Sequence, residues 1–203
     1  MKIKVNHKGH EFVNLGLPSR TLWATCNVGA TSPEQAGLYF AWDETVGYTA
    51  EQVEDGERSF SSSEYSSGPA ASISTDLTLE QDAARIYMGE GWRMPTKAEF
   101  EELFSNTTQT WTLDYDGTGV VGHIFVSKSN GNSAFFPAAG RCDDSPLYKA
   151  DLYGRYWTAS WDSKHCALYS CLAMCKVSYS RFGNYGVIPC YRDRGLPVRG
   201  VRG

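Results

Sequence analysis

The chain lacks the features that assign most proteins to a class at once. Nowhere do about 18 apolar residues run uninterrupted, so no membrane-spanning helix and no membrane insertion are expected. The charged start, Met1 to His10, has no apolar run of about 7–15 residues behind it, so a secretory signal is not expected there. Histidine is scarce, at four residues, and none of the six cysteines forms a CxxC pair. Cys166, Cys171 and Cys175 are separated by four and three residues, and the histidines do not complete a ligand set, so neither a zinc site nor any other metal or cofactor is expected. Disulfide frameworks belong to short secreted chains that cannot build a core, whereas 203 residues can, so mostly free thiols are expected. Glu and Gln are missing altogether from Trp111 to the end.

What is present suits one domain spanning residues 1–203, with 20 glycines and 13% aromatic residues. The net charge of -4 hides an asymmetry: ten Lys/Arg stand against five Asp/Glu from Arg141 onward, and nine against eighteen before it. A basic end can mean nucleic acid, but these arginines are scattered among Tyr and Cys and form no run, which argues against it.

Along the chain, Glu11–Leu17 and Thr21–Val28 are β-prone runs parted by Pro18-Ser19, which predicts a hairpin-like start. Ser32-Pro-Glu-Gln35, Thr78-Leu-Glu-Gln81 and Thr96-Lys-Ala-Glu99 have the form of capping boxes and predict three helices, the last with Phe100 and Leu103 on its buried face. Residues 51–75, rich in Ser, Glu and Gly, read as a long mobile loop. Strands are expected after Trp111, over Val120–Val126 and over Phe135–Gly140, joined by Asp-Gly and Asn-Gly turns; Asp114 and Asp116 belong to such a turn and are too few for calcium. Short strands with two or three short helices make an α+β domain.

The last third alternates two kinds of position. Gly140, Gly154, Tyr156-Trp157, Ala159, Ala167, Val177, Gly186, Gly195 and the closing Leu196-Pro-Val-Arg-Gly-Val-Arg202 look architectural. Between them lie Arg141, Cys142, Asp144, Tyr148, Tyr153, Arg155, His165, Cys166, Tyr169, Cys171, Tyr179, Phe182, Tyr185, Cys190, Tyr191, Asp193 and Arg194, without strand or helix periodicity. They also lack the concentrated acids, bases and nucleophiles of a catalytic loop, so they read as an aromatic-rich binding surface. His165 beside Cys166 has nothing nearby to orient an imidazole and reads as a surface coincidence. About a third of the tyrosines and phenylalanines in this set are expected to fill core; Trp23, Trp42, Trp92 and Trp157 are all expected in the core.

Trp92-Arg-Met-Pro-Thr-Lys-Ala-Glu-Phe-Glu101 resembles the Arg-Leu-Pro-Thr-Glu-Ala-Glu-Trp-Glu signature of formylglycine-generating-enzyme-like domains, a branch of the C-type lectin fold. The whole chain looks closer to a relative in that fold, the Fibrobacter-type major paralogous domain. The landmarks are Phe12-Val-Asn-Leu-Gly-Leu-Pro-Ser19, Leu22-Trp-Ala-Thr-Cys-Asn-Val-Gly-Ala30, Tyr39-Phe-Ala-Trp42, Phe136-Pro-Ala-Ala-Gly140, Tyr156-Trp-Thr-Ala-Ser160 and Leu196-Pro-Val-Arg199. The resemblance implies a C-type-lectin-like domain, and members of this group serve as variable proteins of diversity-generating retroelements. In those systems adenine randomisation turns asparagine codons into NNY codons, which encode Tyr, Cys, Ser, Phe, His, Arg, Asp and others but never Trp, Met, Lys, Gln or Glu. The mixed positions fall wholly within that set, whereas Lys149, Lys164, Met174 and Lys176 do not and are expected to be fixed.

The resemblance thus implies a non-catalytic display protein with a variable region over 141–199, carried on a cell surface or a phage particle and binding a protein or glycan ligand on another surface. Two other readings stand beside it. One is an adhesion or paralogous domain with a fixed partner. The other is a copper-dependent formylglycine-generating-type oxidase, for which Cys166-Ala-Leu-Tyr-Ser-Cys171 has the spacing but not the family's surrounding Gly-Gly-Ser and Arg-Tyr-Arg elements. Calcium-dependent sugar binding lacks its Glu-Pro-Asn and Trp-Asn-Asp patterns; only Trp161-Asp162 is partly similar.

Overall fold

The computed structural model describes residues 5–7, 9–60, 75–143, 147–161, 168–175 and 185–203, with only the backbone described at 5–7, 168–175, 185 and 189. It is mixed α/β, with mostly antiparallel strands and few helices. One sheet has the order β1 (Val5–His7), β2 (His10–Asn14), β3 (Leu22–Asn27), β12 (Arg199–Arg202), so the closing strand returns beside the opening hairpin. Trp23 of β3 stands opposite both Val13 and Val201. A two-stranded ladder joins β4 (Tyr39–Phe40) to β11 (Leu196–Pro197). Strands β5 (Thr107–Thr112), β6 (Gly122–Ser127) and β7 (Ser133–Pro137) form a meander, and β8 (Tyr153–Trp161), β9 (Leu168–Cys175) and β10 (Tyr185–Tyr191) form another sheet with β9 in the middle. Among the described residues no helix is long and apolar enough to cross a membrane.

Among the described residues the helices are α1 (Ala50–Glu54), α2 (Ala83–Met88) and α3 (Lys97–Asn106). Of the three predicted capping boxes only Thr96/Glu99 starts a helix, α3: the Thr96 hydroxyl accepts from the Glu99 N–H, and the Glu99 side chain accepts from the Thr96 N–H at 2.8 Å. Phe100 and Leu103 are fully buried one turn apart, a burial that stabilises by about 2–3 kcal/mol each. At Thr107 the backbone becomes extended, and the run of β-branched threonines leads straight into β5.

The other two boxes do not cap helices. Ser32–Gln35 forms a turn, with the Gln35 side chain accepting from the Thr31 N–H at 2.8 Å, because Asn27 Nδ2 holds the Ala36 carbonyl and Gly37, at φ 74°, redirects the chain. The helix expected to follow the second box does form, as α2, but its cap is Asp82, whose Oδ1 accepts from the Arg85 N–H at 3.0 Å and whose Oδ2 accepts from the Met94 N–H at 2.8 Å. The expected loop over 51–75 is also corrected in part. Residues 50–54 form α1 under a Thr49/Gln52 capping box, and Val53 and Phe60 are buried, while 61–74 lie outside the described residues.

The core is aromatic and holds the frame positions. Trp42, Trp92 and Trp157 pack with Leu196 and Val198, and Trp23, Phe100, Phe125, Phe136 and Tyr156 pack with Val201. Burying an indole or phenol also buries a donor, and several find backbone carbonyls: Trp42 Nε1 donates to Thr158, Trp157 Nε1 to Phe40, both at 2.7 Å, and Tyr156 Oη to Pro137 at 2.8 Å.

Glu99 does more than cap. Its carboxylate accepts from both terminal nitrogens of the Arg93 guanidinium at 2.6 and 2.7 Å and from the Thr21 hydroxyl at 2.8 Å, tying α3 to the approach to β3. Burial alone would raise its pKa, but the bonds from Arg93, Thr96 and Thr21 and the Arg93 charge outweigh that and hold it at about 2, against an ordinary 4.5. A carboxyl depressed in the folded state stabilises above its unfolded pKa and loses that contribution as pH falls through the folded one. Stability is therefore expected to drop by about 2 kcal/mol between pH 4.5 and 2 through Glu99, and Glu99→Gln should flatten this part of an acid-denaturation curve.

Candidate functional site

The last sheet carries the positions expected to bind. β8 pairs with β9 and β9 with β10, all antiparallel, with Trp157 opposite Cys171 and Tyr185 opposite Met174. Beside β8, residues 138–141 are bonded back against residues 148–153. The N–H of Gly140 donates to the Tyr153 carbonyl at 2.7 Å, that of Tyr148 to Arg141 at 2.7 Å, and that of Asp151 to Ala138 at 2.8 Å. Gly140 makes the close approach possible: at φ 66° a Cβ would stand 2.6 Å from the Ala150 nitrogen and the Tyr148 oxygen. Lys149 and Asp151 themselves sit at φ 57° and 62°, left-handed conformations maintained by these bonds.

This fold-back places cations against rings in succession. The Arg141 guanidinium carbon lies 4.8 Å from the Tyr148 ring centroid, Lys149 Nζ lies 5.0 Å from the centroids of both Tyr148 and Tyr153, and the Arg155 guanidinium carbon lies 5.4 Å from that of Tyr153. At the other end Arg141 Nε donates to Asp143 Oδ2 at 2.7 Å, the same oxygen sits 3.3 Å from an Arg194 nitrogen, and Arg194 lies over the Tyr191 ring at 5.9 Å. Contacts therefore run without a break from Tyr191 through Arg194, Asp143, Arg141, Tyr148, Lys149 and Tyr153 to Arg155. Tyr148 and Tyr191 are exposed, at 37% and 57%, and Arg141, Tyr153, Arg155 and Arg194 are half-buried.

Other expected positions fall elsewhere. Asp144, His165, Cys166, Tyr179 and Phe182 lie outside the described residues. Tyr169, Cys171 and Tyr185 are placed on β9 and β10 by their backbone alone. Cys142, Cys190 and Asp193, expected on the binding face, are buried instead. Cys142 and Gly195 exchange both backbone N–H···O bonds at 2.8 Å, which turns the thiol in among Tyr39, Ala41, Val53 and Phe60. Cys190 precedes Tyr191 on β10, and strand alternation sends the first inward to the Trp157 cluster and the second outward. Asp193 follows the end of β10 in a turn, near Arg194 at 3.8 Å.

Cys26, Cys142 and Cys190 are free thiols. Burial, followed by the nearby charges of Asp143 and Glu54, pushes the Cys142 pKa up to about 12, so its reactive thiolate is scarce at neutral pH. In native protein, alkylation read residue by residue by mass spectrometry is expected to modify half-exposed Cys26 well before Cys142, and denaturation should remove the difference. Equal native rates would show that Cys142 is not enclosed.

Two residues on this face were not among the expected binding positions. Lys149, expected to be a fixed position, bridges two rings; the interleaving Tyr148-Lys-Ala-Asp-Leu-Tyr153 is the signal for it in the sequence. Asp143, shared by two arginines, left no local signal because Arg194 is far away in sequence. Compared with family models, curated proteins and solved structures, the chain matches none.

Proposed function

We propose that the chain is a non-catalytic ligand-binding protein of C-type-lectin type, whose C-terminal positions are diversified by a retroelement and displayed on one face for a partner on another cell surface. The observation that carries this reading is the unbroken file of tyrosines and cations from Tyr191 to Arg155, in which every member but Lys149 and Asp143 comes from the aperiodic set of the last third. Tyrosine offers a large, stiff, amphipathic contact area at low entropic cost, and arginine adds directed donors. Lys149, which no NNY codon encodes, is the constant member of the file. Cys142, Cys190 and Asp193, which are buried, belong to its support.

The test has two arms. Sequencing the surrounding DNA and close siblings should reveal a near-copy of the final stretch with adenines at the variable codons, beside a reverse transcriptase, and changes among siblings at Tyr148, Tyr153, Arg155 and Tyr191 with Lys149 kept. Siblings invariant at those positions would support a fixed-partner adhesion domain instead. On the protein, Tyr191→Ala should change stability by less than about 1 kcal/mol, because a side chain 57% exposed has few buried contacts to lose.

A further inference from the structure

The charges along this face are not matched evenly. Arg141 and Arg194 share Asp143, and buried Arg192 pairs with Asp43 at 3.3 Å. Lys149 and Arg155 have no carboxylate partner among the described residues, and Arg155 Nε is shielded from solvent without a hydrogen-bond acceptor. Asp151, exposed in the same fold-back, forms no ion pair with either. Two unmatched cations thus flank one phenol ring, at 5.0 and 5.4 Å from the Tyr153 centroid. Beside them the chain exposes two aliphatic side chains, Leu147 at 36% and Leu152 at 48%.

We propose that this part of the face takes an acidic segment of a protein partner, with carboxylates on Lys149 and Arg155 and apolar side chains against Leu147, Leu152 and Tyr148. The inference rests on the display reading above and names the class of partner. Charge complementarity carries it: an unpaired guanidinium and an ammonium held a ring apart suit two carboxylates along an extended chain, which steers association and fixes register. The leucines decide between a protein and a sugar. A glycan platform needs open aromatic faces for a pyranose, but here cations already lie over the Tyr148 and Tyr153 rings, and exposed leucines offer nothing to a polyol. Tyr and Arg anchors edged by aliphatic contacts are the make-up of a protein interface.

The experiment uses the whole chain and a fluorescently labelled synthetic peptide rich in Asp, Glu and Leu, with its Asn/Gln counterpart as control. The acidic peptide is expected to bind and the neutral one not to, with affinity falling as salt rises. Lys149→Glu/Arg155→Glu should weaken binding at least about tenfold while the melting temperature stays put. If the double reversal does not fold, Lys149→Gln alone should weaken binding by about threefold and lower the salt dependence. Several results overturn the proposal: equal binding of the neutral peptide, no binding of either, or tighter binding of a sulfated polysaccharide of equal charge density. Self-association that the double reversal abolishes also overturns it, since the acidic first 140 residues of a second copy would then be the occupant. None of these touches the diversification reading, which stands or falls on the sibling sequences.

Discussion

Replacing Trp157 by alanine is expected to cost about 3–5 kcal/mol, a large share of the roughly 5–15 kcal/mol that holds a domain together. The side chain is wholly buried, packed with Trp42, Trp92, Leu196 and Val198. Its Nε1 donates to the Phe40 carbonyl at 2.7 Å, so truncation opens a cavity the size of an indole and also strips an acceptor of its donor. Trp157→Phe keeps most of the volume and loses that bond, so it should cost less than the alanine change. Urea unfolding of both variants measures this; a loss below about 1 kcal/mol for alanine would mean that Trp157 is not the support of β8. Tyr153 and Arg155 stand on the same strand, so the alanine variant should also blunt binding, whereas a change at exposed Tyr191 should leave stability alone.

That contrast between support and display was legible in the sequence only where the signal is local. Thr96 and Glu99 fall one turn apart ahead of Phe100 and Leu103, so the cap and the buried face can be read from eight consecutive residues, and α3 forms there. Thr49-Ala-Glu-Gln52 has the same pattern ahead of α1, but Val53 is the only residue that helix buries, and the polar run behind it hid the signal. Ser32–Gln35 has the pattern and no helix, because the decisive contact on Ala36 comes from the Asn27 side chain, five residues before the box's start and anchored in β3. Burial in the last third is likewise set at a distance. Cys142 is turned inward by Gly195, where a Cβ would stand 2.9 Å from the Cys142 Cβ, and no property of the segment around Cys142 announces that partner. Composition marks the segment only as aperiodic and rich in aromatics; the pairing of strands sorts its described residues into those that face out and those that hold the sheet.

Arg199→Met is expected to destabilise the protein by about 3–5 kcal/mol, although it removes a completely buried charge that has no carboxylate partner among the described residues. An apolar replacement of a buried ion is often harmless when both partners go together. Here the partners stay. Arg199 Nε donates to Asn27 Oδ1 at 2.8 Å, one terminal nitrogen donates to the carbonyls of Ala24, at 3.0 Å, and Thr25, and the other donates to the Phe135 carbonyl at 3.0 Å. Methionine would leave these acceptors dry and without that donor, at about 1–3 kcal/mol for each one left unsatisfied, offset in part by relief of the buried charge. The guanidinium also lies 4.4 Å from the Phe136 ring centroid, so its positive charge rests on an aromatic face and on oppositely directed carbonyl dipoles. The planar fork is what lets one side chain on β12 reach β3 on one side and β7 on the other, joining two sheets that share no strand. Lysine has the charge and much of the length, but its donors leave from a single nitrogen and cannot span acceptors on both strands, so Arg199→Lys should recover less than half of the loss. Chemical denaturation of the two variants decides the point: full recovery by lysine would mean that the charge alone matters, and a methionine variant as stable as the parent would mean that the carbonyls find other donors.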